Sequence, residues 1–131
     1  PYLYRRTEQL FFAHGLRPLS AVKDLIGSQA TKGMHVLAKF APHTAETGVW
    51  TDGESLAAFE AYPSACKNSV VMADLRAGYP TFDQQDKEDA LICALVAGIF
   101  TKQRETLWGP PDDTPVSEGW IWVPRDVTNK G

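Results

Sequence analysis

Asp86-Lys87-Glu88-Asp89-Ala90-Leu91-Ile92-Cys93-Ala94-Leu95-Val96-Ala97-Gly98-Ile99-Phe100 is the stretch whose reading decides the fold. It opens on charge and then runs apolar from Ala90 to Phe100. It contains no proline, and alanine and leucine favour helix. Nearly every position from Leu91 to Ile99 is apolar, so the expected helix has no wet face and belongs inside a layered domain. It is too short to cross a bilayer, which takes about 20 apolar residues. Asp86 and Asp89 stand on one face of its first turn. A buried helix that presents two carboxylates at one end is either capped or functional.

Upstream, Thr7 is a fair N-cap for a short helix through Leu10, Phe11 and Phe12, with Gly15 as its stop. Glu8 falls in the first turn, where the helix dipole favours an acid. Pro18 then opens a long helical pattern. Leu19, Val22, Ile26, Ala30, Gly33, Leu37 and Phe40 make one apolar stripe, and Pro42 ends it. Gly27 and Gly33 mark close packing or a break. His35 and His43 have no acidic or cysteine neighbours at ligand spacing and read as surface residues.

After a turn at Asp52-Gly53, the run Leu56-Ala-Ala-Phe59-Glu60-Ala61-Tyr62-Pro63 reads as one strand closed by proline. Ala57, Phe59 and Ala61 point one way and Leu56, Ala58 and Glu60 the other. With helices on both faces, Glu60 would sit at the carboxyl edge of a sheet, where open α/β sheets place ligands. An edge strand with Glu60 in solvent fits the spacing equally well. Residues 64–76 read as helix or strand. Gly78-Tyr79-Pro80 is a break, and the run Gly109-Pro-Pro-Asp-Asp113 is a loop. Near the end, Trp120 and Trp122 alternate with Ile121 and Val123. Docking of this tail on the core is the expectation. A stacking platform for bases is the sharper alternative.

The 131 residues fit one α/β domain, with residues 109–131 as a docking tail. The composition is 44% hydrophobic and 22% charged, the profile of a globular protein. A net charge of −3 and a pI near 5.5 exclude broad, unspecific phosphate binding. The two cysteines, Cys66 and Cys93, read as free and reduced, with Cys93 buried in the central helix. No leader or membrane run is recognisable, so a cytoplasmic protein without a membrane partner is expected. The chain begins at Pro1 rather than Met, the beginning expected of a fragment or a processed product.

No His/Cys cluster, glycine-rich phosphate loop or nucleophile motif is present. Carboxylates remain: Glu60, Asp86 and Asp89, with Glu8 and Asp83 beside them. Brought together, two or three of them would bind Mg²⁺ or Mn²⁺, which take oxygen ligands. Paired metals about 4 Å apart are a recurrent phosphodiester-cleaving device. Helix capping is the commoner use of Asp83, Asp86 and Asp89.

Three blocks, Glu60-Ala-Tyr-Pro63-Ser-Ala, Asp86-Lys-Glu-Asp89-Ala-Leu-Ile-Cys93-Ala-Leu and Glu118-Gly-Trp-Ile-Trp-Val-Pro124, resemble the signature of the DUF429 family of predicted nucleases. Tyr4-Arg5-Arg6-Thr7-Glu8 is similar to a further block. The blocks follow the family's order and match its C-terminal half or two-thirds. The resemblance implies an RNase H-like mixed sheet with flanking helices. It implies Glu60 and Asp89 as metal-binding and catalytic carboxylates, with Asp86 accessory. It also implies Arg6 and Glu8 near the substrate, Mg²⁺ or Mn²⁺ as cofactor, and nucleic acid as partner. The family's first strand, with an Asp near a Gly, has no counterpart here. The Glu60 strand is therefore expected to keep an open edge, completed by a homodimer or a partner chain. The leading expectation is a metal-dependent nuclease-like domain. The alternative is a non-catalytic interaction or oligomerisation module derived from such a fold.

Overall fold

The structure, a computed structural model, describes residues 3–20 and 27–128. The described chain combines helices with two small three-stranded sheets, an α/β arrangement in the coarse sense. The contacts fall into two compact units. One holds Pro1–Glu60 with Pro110–Ile121, the other Ala61–Gly109 with Trp122–Gly131.

The first unit starts with α1, Arg6–Ala13. Its N-cap is Arg5, not the expected Thr7. Glu8 reaches back to the Arg5 N–H at 2.9 Å, the return half of a capping box. Thr7 lies inside the helix, and its hydroxyl accepts the Ile121 N–H at 3.2 Å. Phe11 is fully buried and meets Trp120 edge-on, with ring centroids 6.0 Å apart. Gly15, at φ +74°, turns the chain away after the helix.

The next helix, α2, runs Gly27–Phe40. Its pattern began in sequence at Pro18, but residues 16–20 are not helical, and residues 21–26 lie outside the described residues. Pro18 and Ser20 are instead buried in chain that is neither helix nor strand. Gly33 marks neither break nor close packing, since the helix passes through it and a Cβ there would meet nothing within 4 Å. None of the side chains of α2 is fully buried. Its apolar stripe is therefore only partly used.

Then comes a meander that the sequence reading lacked: β1 (His43–Glu46), β2 (Val49–Thr51) and β3 (Ala57–Ala58), antiparallel throughout. Thr44 lies opposite Trp50, and Trp50 opposite Ala58. Gly48 makes the first turn at φ +78°, with Trp120 packed against it. Asp52 makes the second. Its Oδ1 accepts the N–H groups of Glu54, Ser55 and Leu56, an Asx turn. Those bonds, Glu54's foremost, hold the Asp52 carboxyl below its usual range.

The single strand expected over residues 56–63 is two short ones. β3 ends at Ala58, and β4, Glu60–Ala61, belongs to a second sheet of order β4-β6-β5. Phe59 is the switch between them. Pro63 opens α3 (Pro63–Cys66) rather than closing a strand, which suits a first helical residue that needs no N–H.

The second unit is built on α5, Gln85–Lys102. α3 and α4 (Val70–Arg76) pack against it. The ambiguous residues 64–76 hold two helices, the end of α3 and the whole of α4, and Ser69 caps the second, its Oγ accepting the Met72 N–H at 3.0 Å. Asp126 Oδ2 accepts the next free donors, Val70 and Val71 N–H. β5 (Leu107–Trp108) pairs antiparallel with β6 (Ile121–Pro124), Trp108 opposite Val123. Trp122 is buried edge-on to Phe100, at 5.1 Å between centroids. Neither buried tryptophan, Trp120 nor Trp122, offers a face on which a base would stack.

The expectation of a helix wetted on no side does not hold for α5. Only Ile92, Leu95, Val96 and Ile99 are buried, the spacing of one apolar stripe. Cys93, Ala94, Ala97 and Gly98 face outward. All four are small, so leaving them wet forfeits little apolar area. Cys93 is thus exposed and Cys66 is the buried thiol. Burial, with the nearby Cys93 adding to it, pushes the Cys66 thiol up to about 12.

A Cβ at Gly48 would stand 2.5 Å from the Trp120 Cβ, at a backbone φ that L-residues rarely adopt. Gly48→Ala is expected to lower unfolding stability by about 2–4 kcal/mol. Gly33→Ala, in an open helical site, should raise it by about 0.5–1 kcal/mol. Urea titration of both variants checks this, and equal midpoints would contradict it.

Candidate functional site

In the first unit the polar side chains gather on Arg5. Its Nε donates to Glu8 Oε1 at 2.8 Å. Nη1 and Nη2 donate to the two oxygens of Glu60, at 2.6 and 3.2 Å, a bidentate fork. Nη1 also reaches the Glu118 carbonyl at 3.4 Å. The Glu118 carboxylate accepts the Arg6 N–H at the start of α1, where the helix dipole favours an acid. Burial disfavours the charged form of Arg5, but Glu60 and then Glu8 outweigh it and hold the guanidinium above its already high range. Glu8 is 1% exposed. Burying that carboxylate is tolerable because two donors of Arg5 hold it.

Arg5, Glu60 and Glu118 of this cluster line a cavity of about 760 Å³. Trp50 of β2 lines it, together with Leu19 and, from α2, Ala30, Met34 and Leu37. Arg5, Glu60, Ser117 and Glu118 supply the polar part of the wall. The apolar stripe of α2 therefore faces a cleft.

In the second unit Asp89 Oδ1 accepts Lys67 Nζ at 2.9 Å and Gln85 Nε2 at 2.6 Å. The Lys67 bond, with Gln85 assisting against a little desolvation, holds the Asp89 carboxyl below its usual range. Glu88 takes a second fork, from Arg76 Nε and Nη2 at 2.6 and 2.8 Å. The same guanidinium donates to the carbonyls of Tyr79 and Pro80, so it ties the preceding loop to α5. Asp86 is exposed in the first turn of α5, where its charge suits the helix dipole.

The residues singled out in sequence thus have these places. Glu60 and Glu8 meet on Arg5 in the first unit, while Asp86 and Asp89 belong to α5 in the second. Arg6 pairs with Asp113 at 2.8 Å through Nη2. Asp83 lies before α5, with Lys87 at 3.8 Å. His35 and His43 are exposed. Arg5, Trp50 and the Arg76–Glu88 fork were not singled out. The Arg5-x-x-Glu8 spacing was the readable trace of the first, since it places an acid at the N3 position of α1. Nothing local announces the fork.

The donor set does not fit a divalent ion as arranged. Glu60 already accepts from a guanidinium and Asp89 from an ammonium and an amide, so a doubly charged ion at either would face a resident donor. Among the described residues no three His, Cys, Asp or Glu side chains come together as a metal group. No helix among them is long and apolar enough to cross a membrane. Comparisons with family models, curated proteins and solved structures return no match.

The lowered Asp89 carboxyl contributes stability that is present above the unfolded carboxylate range and is lost as pH falls through the folded value. Lys67→Met is expected to move the Asp89 midpoint upward and to flatten the acid limb of the stability profile. Carboxyl-carbon NMR titration of both proteins reads this directly. An unmoved midpoint would contradict the assignment.

Proposed function

We propose that this chain is a nuclease-like domain of the RNase H-like type that works as a non-catalytic interaction module. The kinship rests on the resemblance of its sequence blocks to the DUF429 family. It is supported by how three of those blocks meet. Arg5, Glu60 and Glu118 come from separate blocks and share one guanidinium in the first unit. The loss of cleavage rests on a single observation. Each carboxylate that the resemblance assigns to catalysis and that has a partner in the structure is held by nitrogen donors of its own unit, Glu60 by Arg5 and Asp89 by Lys67 and Gln85. A divalent ion on either would set two further positive charges beside the cation already bound there. The open cleft beside Arg5 is the surface on which such a module would receive its partner.

Calorimetry with Mn²⁺ and a nuclease assay on single-stranded and duplex DNA and RNA test this, using the wild-type chain, Glu60→Gln and Asp89→Asn. The expected result is equally weak metal binding by all three and no Mn²⁺-dependent cleavage. Cleavage by the wild type that falls at least about tenfold in both variants would make the chain a metal-dependent hydrolase instead.

A further inference from the structure

The cleft of the first unit has a composition that selects a ligand. Its volume, about 760 Å³, lies in the range of about 300–1,000 Å³ usual for small-molecule sites. Its apolar wall is open to water, with Leu19 63% and Met34 69% exposed. Hydrocarbon laid along that wall would gain burial that the fold leaves unused. The charged part of the lining is unbalanced. The Arg5 guanidinium is surrounded by Glu60, Glu8 and the segment of Glu118, so acid exceeds base there. Each Glu60 oxygen accepts one Arg5 donor and keeps lone-pair capacity for another. The Glu60 side chain is 42% exposed and Trp50 lines the same cavity. A carboxylate beside an aromatic ring is the pairing that attracts an organic cation.

We propose that this cavity binds an apolar molecule carrying one ammonium group. The ammonium sits by Glu60 and the ring of Trp50, and the hydrocarbon lies along Leu19, Met34 and Leu37. An anionic ligand is disfavoured because most of the Arg5 donors are already turned to Glu8, Glu60 and the Glu118 carbonyl and because the carboxylates there would repel it. This deepens the reading of the cleft as the module's binding surface by naming the chemistry it takes, and it holds whether or not the chain cleaves phosphodiesters.

Calorimetry with decylammonium, decanol and decanoate, each below its micelle concentration, separates charge from hydrocarbon. Decylammonium is expected to bind at least about tenfold more tightly than decanoate, with decanol between them. Glu60→Gln should reduce that ratio to below about threefold. Met34→Lys, at an exposed position that leaves the fold intact, should weaken decylammonium about tenfold or more. Three results would overturn the proposal: decanoate binding as tightly as decylammonium, no binding of decylammonium up to about 1 mM, or unchanged affinity in Met34→Lys.

Discussion

The first unit depends on one guanidinium. Arg5 lies just before α1, yet its donors reach Glu8 within the helix, Glu60 at the start of β4 and the carbonyl of Glu118. Those groups lie 3, 55 and 113 residues away along the chain. Isolated exposed ion pairs contribute little, but a bidentate fork joined to a buried carboxylate is a network. The cluster also explains why Glu8 is tolerated where an aliphatic residue would be expected. With Arg5 present the capping carboxylate is paired, and without it a buried charge would stand alone.

The same cluster decides how the carboxylates are read. A glutamate at a strand end and aspartates at a helix start suit a metal site on paper. Here they serve as anchors. Glu60 is an anchor for Arg5, Asp89 for Lys67, and Glu88 for Arg76. Sequence spacing shows where an acid lies but not which base faces it. That is settled by pairing across tens of residues, which no local pattern encodes.

Much of the fold was legible where the cause is local. The breaks at Gly15, Gly78 and Pro80, the turn at Asp52-Gly53 and the burial of Trp120 and Trp122 all follow from residue type. The reading failed where tertiary pairing outranks pattern. Ala57 and Ala61 look like one strand, yet Ala57 pairs with Thr51 while Ala61 belongs to the other sheet. The central helix looked apolar on all sides because Cys93, Ala94, Ala97 and Gly98 count as apolar. Only Ile92, Leu95, Val96 and Ile99 have the bulk to fill a core. Of the candidate site, Glu60 and Glu8 were visible, whereas Arg5 was hidden as the neighbour of the arginine that drew attention.

Coupling between Arg5 and Glu60 is the most direct measure of this account. A double-mutant cycle of Arg5→Ala and Glu60→Ala, read by urea unfolding, isolates it. A stabilising interaction of at least about 1 kcal/mol is predicted for the bidentate, partly buried pair. Additivity within about 0.3 kcal/mol would contradict the central role given to Arg5.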